Sequence, residues 1–386
     1  MTDDKVSSTV CNFFHLGVAI CSVGELFGGV ERHILGLLKG LQAHGIKALL
    51  ILFHDGELAA QARNHGIEPI ILPGLNRTLW STSRTLAGIL KQRQIRVVHV
   101  HGYKATVFCA LACSRYQFTL VKTEHGLPEP MVGFPLRVLR DRFYHFLDSR
   151  ATRLAAATVC YVTAELRDYH ARAHARLRTA VIPNGVANMD KEQFARPPEM
   201  RRDWFNLAVV GRLDTVKGHR VAIEALSVST VPKDVHLQIV GSGPSEAPLR
   251  ELAQERGIAD RVHFLGFRRN VYDYLAHCDV LLIPSLHEGL PYTLLEAMAL
   301  GTPIIASRIG GLAEVLQEGI TGLLLPPEDS DSIARAVVEL LRDPDYRRQM
   351  GKKAQRLQRA SYSDNIMSSR YLAIYQEALA SGQTIG

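Results

Sequence analysis

A chain of 386 residues is too long for a single hydrophobic core to serve, so more than one domain is expected. Hydrophobic residues make up 47% and charged residues 22%, which excludes a disordered or fibrous protein and fits a globular one. A formal charge of +7 favours anionic ligands or surfaces without choosing among nucleotide diphosphates, anionic lipid and nucleic acid.

In chain order, short apolar runs alternate with helical patterns. Val10 to Ile20 holds the first strand, Gly28-Gly29 a turn, Val30 to His44 a helix, Ala48 to Phe53 a strand and Glu57 to His65 a helix. Ile67 to Leu72, Val97 to Val100 and Thr119 to Thr123 supply further strands. After a strand at Thr158 to Thr163 come a helix through about His174 and a strand at Thr179 to Pro183. Such alternation predicts a parallel sheet covered by helices. Asn184 to Met200 is polar and contains Pro197-Pro198, which suits a linker.

A second series begins with the strand Leu207 to Val210 and the helix His219 to Ser227. Strands follow at Val235 to Val240, Val262 to Leu265, Asp279 to Ile283, Pro303 to Ala306 and Gly322 to Leu325. Helices are expected at Ser245 to Arg256, Val271 to Ala276, Leu290 to Leu300, around Glu314 and at Ser330 to Leu341. Asp343-Pro344-Asp345 reads as a helix cap rather than a paired-carboxylate metal site. Two helices remain, Tyr346 to Arg359 and Asn365 to Ala380, the last expected to cross back onto the first domain. The fold class is therefore α/β with two Rossmann-like, doubly wound domains facing across a cleft. Its expected parts are 1–190, 191–365 and a terminal helix and tail at 366–386.

Six cysteines, at 11, 21, 109, 113, 160 and 278, show no CxxC pairing and read as buried thiols of a reducing compartment. Cys109 and Cys113 share a helix face without further ligands, so no metal site is expected. The segment before Cys11 lacks a basic leader and apolar core, and no apolar run is long enough to span a bilayer. A cytoplasmic protein is expected. Arg137, Arg140, Arg142, Arg150 and Arg153, interleaved with Phe134, Phe143, Tyr144 and Phe146, form either an ordinary helix with aromatics packed inward or a surface for an anionic membrane.

Several candidate binding residues sit just past strand ends, where an open α/β sheet binds ligands. Gly211-Arg212 and Lys217-Gly218 follow one strand, and the two cations suit adjacent phosphates, although either alone reads as a surface group. Gly241-Ser242-Gly243-Pro244 follows the next and lets backbone approach a ligand. Gly266-Phe267 follows a third, with Phe267 either bordering a base or packed in the core. The most specific segment runs from Pro284-Ser285 through Glu288-Gly289-Leu290-Pro291 to Glu296, followed by Gly301-Thr302-Pro303. Glu288 precedes a helix whose N-terminus offers backbone donors to diphosphate oxygens. In the first half, Gly28-Gly29, His99-Val100-His101-Gly102 and Glu124-His125-Gly126 also end strands. His99 and His101 share a strand face if the strand runs through both.

The pair Glu288 and Glu296 in this proline-glycine setting resembles the donor signature of family 4 of the retaining glycosyltransferases, which have the two-domain GT-B fold. The resemblance extends over nearly the whole chain. It implies transfer of a hexose or N-acetylhexosamine from a UDP-sugar or GDP-sugar to a glycan, lipid-linked or small-molecule acceptor, in envelope polysaccharide or glycoconjugate synthesis. It implies that Arg212 and Lys217 stabilise the leaving diphosphate, Glu288 orients the sugar, Glu296 binds ribose hydroxyls and the backbone at Gly289 and Leu290 contacts phosphate or sugar. Gly28, Gly29, Gly211, Gly241, Gly243 and Phe267 would line the ligand, and His101 would bond a sugar hydroxyl, with Glu124 and His125 beside the acceptor. No cofactor, obligatory metal or nucleic acid is expected, and peripheral association with the inner face of a membrane stays open. Rival readings are a non-hydrolysing sugar-nucleotide epimerase and a non-catalytic sugar-nucleotide or polysaccharide-binding protein.

Overall fold

The computed structural model describes residues 16–24, 28–72, 79–126, 135–155 and 157–380. Cys11, Phe134, the start of the expected first strand and the tail 381–386 lie outside them. The chain divides into two compact units, Met1–Pro183 with Asp364–Gly386, and Asn184–Ser363.

The first unit runs β1 (Val18–Ser22), α1 (Gly29–Ala43), β2 (Leu49–Leu52), α2 (Glu57–Asn64), β3 (Ile70–Ile71), α3 (Leu79–Gln92), β4 (Val97–His101), α4 (Tyr103–Cys113), β5 (Thr119–Glu124), α5 (Pro135–Leu154), β6 (Thr158–Tyr161), α6 (Ala164–His170) and β7 (Thr179–Val181). Its strands form one sheet in the order β3-β2-β1-β4-β5-β6-β7. Each neighbouring pair is parallel, as in Ser22 beside His101. Helices cover both faces, which is why β1 and β4 are buried along their whole length.

The second unit runs β8 (Phe205–Val210), α7 (His219–Ser227), β9 (Val235–Val240), α8 (Glu246–Glu255), β10 (Val262–Gly266), α9 (Val271–His277), β11 (Val280–Ile283), α10 (Tyr292–Leu300), β12 (Ile304–Ser307), α11 (Gly310–Val315), β13 (Leu323–Leu325), α12 (Ser330–Arg342) and α13 (Pro344–Ser361). Its parallel sheet has the order β10-β9-β8-β11-β12-β13. In α12, Ile333, Val337 and Leu340 are buried while Arg335 and Glu339 are exposed, the spacing of one apolar helix face. Asp343 caps α13 by accepting a hydrogen bond from Tyr346 N at 2.9 Å, the cap role read from sequence.

The last helix, α14 (Asp364–Ala380), returns to the first unit and packs on α1, as its sequence pattern predicted. It buries Met367, Tyr371, Leu372 and Tyr375, each contributing roughly 1.5–3 kcal/mol by leaving water. The helices meet closely at Gly40, where a Cβ would stand 2.3 Å from Ser368 Oγ.

Several boundaries differ from the sequence reading for identifiable reasons. Helix α10 starts at Tyr292 rather than Leu290 because Pro291 is an extended N-cap with φ −71° and ψ 136°. Only Ile70–Ile71 of the expected 67–72 strand pairs in the sheet. Helix α4 is apolar nearly all round and shows no helical period, while α3 does bury one face, Thr82, Ser83, Leu86, Ala87 and Leu90, but two of those five are polar. Asn184 and Val186, read as linker, are buried, and Val186 N bonds Tyr362 O at 3.0 Å.

Candidate active site

In each sheet the strand order reverses once, between β1 and β4 in the first and between β8 and β11 in the second. Loops leaving the carboxyl ends of two such strands part to opposite faces and leave a crevice between them. The second unit places Lys217 after β8 and Glu288 after β11 at such a point. Lys217 Nζ lies 2.6 Å from Glu288 Oε1, with the two side chains 31% and 10% exposed, so the pair is neither sealed nor freely solvated. Ser285 Oγ donates to the same carboxylate oxygen at 2.8 Å.

Local geometry holds the two loops together. Asp214 caps the short 3-10 turn 215–217 through Lys217 N at 3.2 Å and accepts from Arg212 Nε at 2.8 Å. Leu286 N donates to Val216 O at 2.8 Å. Gly218 has φ +68°, and a Cβ there would stand 1.9 Å from Pro284 O, so a side chain would prise the Lys217 loop from the Glu288 loop.

The remaining expected residues distribute unevenly. Gly211, Gly241 and Gly243 lie on the same carboxyl edge, joined by Gly211 N to Val240 O at 3.0 Å and Gly241 N to Gly266 O at 2.9 Å. Arg212 stands out from the loop at 65% exposure. Phe267 is 73% exposed, which removes its core alternative. Leu290 buries its side chain, and its carbonyl accepts from Asn184 Nδ2 at 2.7 Å. Gly289 O accepts from Gly311 N at 3.0 Å. Glu296 is buried within α10 and accepts from Tyr272 OH at 3.1 Å.

In the first unit the reversal point lies between β1, after which α1 starts with Gly28 and Gly29, and β4, which ends at His101 beside Ser22. Gly28 is the N-cap and donates its N–H to Glu31 Oε2 at 2.9 Å, while Gly29 is the first helical residue rather than part of a turn. His101 is buried in a group of histidines. Its Nδ1 lies 2.9 Å from His125 Nε2, and its ring centroid lies 5.2 Å from that of His33 and 4.3 Å from that of His99. Burial first, and the neighbouring rings second, push the His101 pKa well below the ordinary value; burial does the same for His99 and His125. All three are held as neutral imidazoles.

His99 does share the strand face of His101, but it is structural. Its Nδ1 meets Tyr375 OH at 2.7 Å and its Nε2 meets Thr123 Oγ1 at 2.7 Å, with Thr123 in turn bonded to Tyr371 OH at 2.9 Å. Beside it Lys122 is buried at 1% exposure, with Glu124 and Asp148 each 2.6 Å from Nζ. Burial opposes its charge, yet the two carboxylates hold its pKa above the usual range. Glu124 is thus engaged by Lys122.

Sequence reasoning missed Asn184, His33, Tyr371 and Tyr375. Only Asn184 carried a local signal, as the lone amide between Pro183 and Gly185 in a stretch read as linker. A hollow of the second unit, about 500 Å³, is lined by Lys191, Arg347, Lys352 and Arg359 with Asp279 and Pro303. It lies at the amino ends of β11 and β12, and of the singled-out segment only Gly301 and Pro303 reach it.

Two family models match in tandem, Glycosyltransferase Family 4 over residues 27–187 and Glycosyl transferases group 1 over residues 190–357. The chain is 30% identical to the 2-deoxystreptamine glucosyltransferase of Streptomyces kanamyceticus over 282 residues, 70% of this chain and 67% of that protein. The chain belongs to glycosyltransferase family 4.

The chain is also 35% identical to the N-acetyl-alpha-D-glucosaminyl L-malate synthase of Bacillus anthracis over 164 residues, 42% of this chain and 43% of that protein. The chain spans about half the length of the curated relatives it matches, between 43% and 67% for these two. The crystal structure of Anabaena HepE in complex with UDP superposes with a TM-score of 0.80 at 21% identity, over 94% of this chain and all of that one. At that identity the likeness establishes the GT-B fold, the two-sheet architecture expected of a family 4 chain.

Proposed function

We propose that this chain is a retaining transferase that moves a hexose or N-acetylhexosamine from a nucleotide-diphosphate sugar to a glycan, lipid-linked sugar or small-molecule acceptor. The observation that carries the reading is the Lys217–Glu288 pair at the reversal point of the second sheet, 2.6 Å apart and open to solvent on the lysine side. A diphosphate entering this edge takes the lysine ammonium as its counter-charge, with the guanidinium of Arg212, bonded to Asp214, on the same loop. Glu288, released from the lysine, accepts hydrogen bonds from sugar hydroxyls. As the bond to the anomeric carbon breaks, negative charge grows on the leaving phosphate, and fixed cations stabilise that state more than the ground state. The acceptor oxygen then bonds the anomeric carbon on the face the phosphate leaves and gives its proton to that phosphate, which retains configuration. Glu296 takes the ribose hydroxyls in this reading, and His101 a hydroxyl of the transferred sugar.

HepE has been crystallised with UDP and with UDP-glucose, which favours uridine over guanosine as the donor base. Relatives named for glucosyl and N-acetylglucosaminyl products keep both sugar classes open. Synthesis of envelope polysaccharide or another glycoconjugate is the setting we favour. Five described cysteines are free and buried, in keeping with a reducing compartment. Among the described residues no helix is long and apolar enough to cross a membrane. Phe143, Tyr144 and Phe146 of α5 are 56%, 37% and 57% exposed rather than packed inward, which supports docking on an anionic membrane surface.

The test is a mass-resolved transfer screen of UDP- and GDP-sugars against soluble and lipid-linked glycans. A product heavier by one glycosyl unit, formed together with nucleoside diphosphate, is expected. Diphosphate release that ignores the acceptor, or interconversion of the sugar alone, would count against transfer.

A further inference from the structure

The first unit brings together three imidazoles from three separate elements: His33 from α1, His101 from the end of β4 and His125 from the loop after β5. One ring nitrogen from each lies within 4.8 Å of the other two. The rings meet at centroid separations of 4.7 Å for His33–His125 and 5.2 Å for each of the other pairs. We propose that His33, His101 and His125 form a site for a zinc-class transition-metal ion, and that its occupation blocks transfer by withdrawing His101 from the sugar. The second half of this proposal rests on the role given to His101 above.

The donor set decides the metal class. Three neutral imidazoles without a carboxylate suit Zn²⁺, Co²⁺ or Cu²⁺ and disfavour Mg²⁺ and Ca²⁺, which prefer oxygen. Zinc bonded at about 2.0–2.1 Å to each nitrogen needs ligand atoms roughly 3.4 Å apart, so nitrogens standing up to 4.8 Å apart must close while the 2.9 Å His101–His125 pair opens by about half an ångström. A fourth, open position remains, as in three-histidine catalytic zinc sites. The hydrogen bond between His101 Nδ1 and His125 Nε2 is given up on binding, and its proton moves to the far nitrogen of the ring that carried it. Both rings stay neutral and no net proton is lost.

Surroundings favour a fixed rather than a diffuse site. His33 and His101 are 0% and 1% exposed, while His125 is half-buried. His99 is excluded as a ligand because both its nitrogens are engaged, and its ring, 4.3 Å from that of His101, braces the site. The other close histidine pair, His236 and His263 at 3.1 Å, is stacked on Trp204 and brings no third ligand among the described residues.

The experiment titrates the full chain, free of any histidine tag, with zinc chloride by calorimetry in the absence of nucleotide and acceptor. One ion per chain is expected. Affinity should drop at least about tenfold in His33→Gln and in His125→Gln, and should be unchanged in His236→Gln. Should the variants fold poorly by circular dichroism, cobalt(II) on the unaltered chain decides: strong tetrahedral visible bands support the site, and a pale octahedral spectrum overturns it. Absence of binding, or binding that ignores both substitutions, also overturns it. Saturating zinc should lower transfer at least about tenfold if His101 contacts the sugar. Zinc that binds through the triad yet leaves transfer untouched would uphold the metal site and overturn the place given to His101.

Discussion

Both sheets reverse their strand order once and gather their expected ligand residues there, but the two crevices are assembled differently. In the second unit Lys217, Gly218, Pro284, Ser285 and Glu288 come from the loops after two neighbouring strands of the sheet, with Lys217 and Glu288 meeting across 71 positions of sequence. In the first unit His101 sits on a polar layer completed from far away, by Tyr375 hydrogen-bonded to a strand residue 276 positions earlier. The second unit's crevice is closed by its own two strand-end loops, whereas the first unit's rests on a helix from the far end of the chain. Damage to the first unit's polar layer should therefore appear as lost stability, and damage to the second unit's loops as lost chemistry.

The sharpest break comes from Lys122→Met in the first unit. Removing the ammonium strands Glu124 and Asp148 in a buried site, and we predict a loss of about 3–5 kcal/mol in urea unfolding. A loss below about 1 kcal/mol would show that the network is solvated. Next in size, Lys217→Ala in the second unit should lower transfer kcat/KM by about a hundredfold or more while the melting temperature barely moves; unchanged kcat/KM would falsify its phosphate role. Asn184→Ala, which leaves the Leu290 carbonyl without its amide donor, should cost about 1–3 kcal/mol of local order. Its signature is a raised donor KM with a smaller change in kcat, and equal change in the two would point to a different role.

Smaller still, Tyr375→Phe should destabilise the first unit by about 1–2 kcal/mol by orphaning His99 Nδ1. Acid sharpens the same contrast. Burial pushes His174, His219 and His236 down to about 4 from the ordinary 6.5. The unfolded chain then takes up protons below 6.5 that the folded chain refuses, so stability is full above that value and falls as pH drops toward 4. His99, His101 and His125 add to this effect in the first unit alone, which should unfold at the higher pH of the two. Trp80 belongs to the first unit and Trp204 to the second, so Trp204→Phe and Trp80→Phe variants report each unit separately by fluorescence. Coincident transitions would erase the distinction.

That asymmetry also explains what could be read before folding. The strand ends at Gly211, Gly241 and Pro284 follow apolar runs with clear limits, so the edge that carries Lys217 and Glu288 was legible from spacing alone. Their direct pairing was not, because it depends on Gly218 passing beneath Pro284. Helix α14 was visible as a surplus element with nowhere to go in the second sheet. What it supplies was invisible, since nothing near Tyr371 or Tyr375 in sequence names Thr123 or His99. The same holds for His33, an unremarkable helix residue until α1 lies beside β4 and the loop after β5.

The return of α14 also sets a schedule. A ribosome makes the first sheet early and completes the whole second unit before it emits Met367, Tyr371 and Tyr375, so the exposed flank of α1 must wait uncovered through that interval. Earlier-made strands reach their final packing last, and a nascent chain arrested just before Asp364 should present a finished second unit beside an unfinished first.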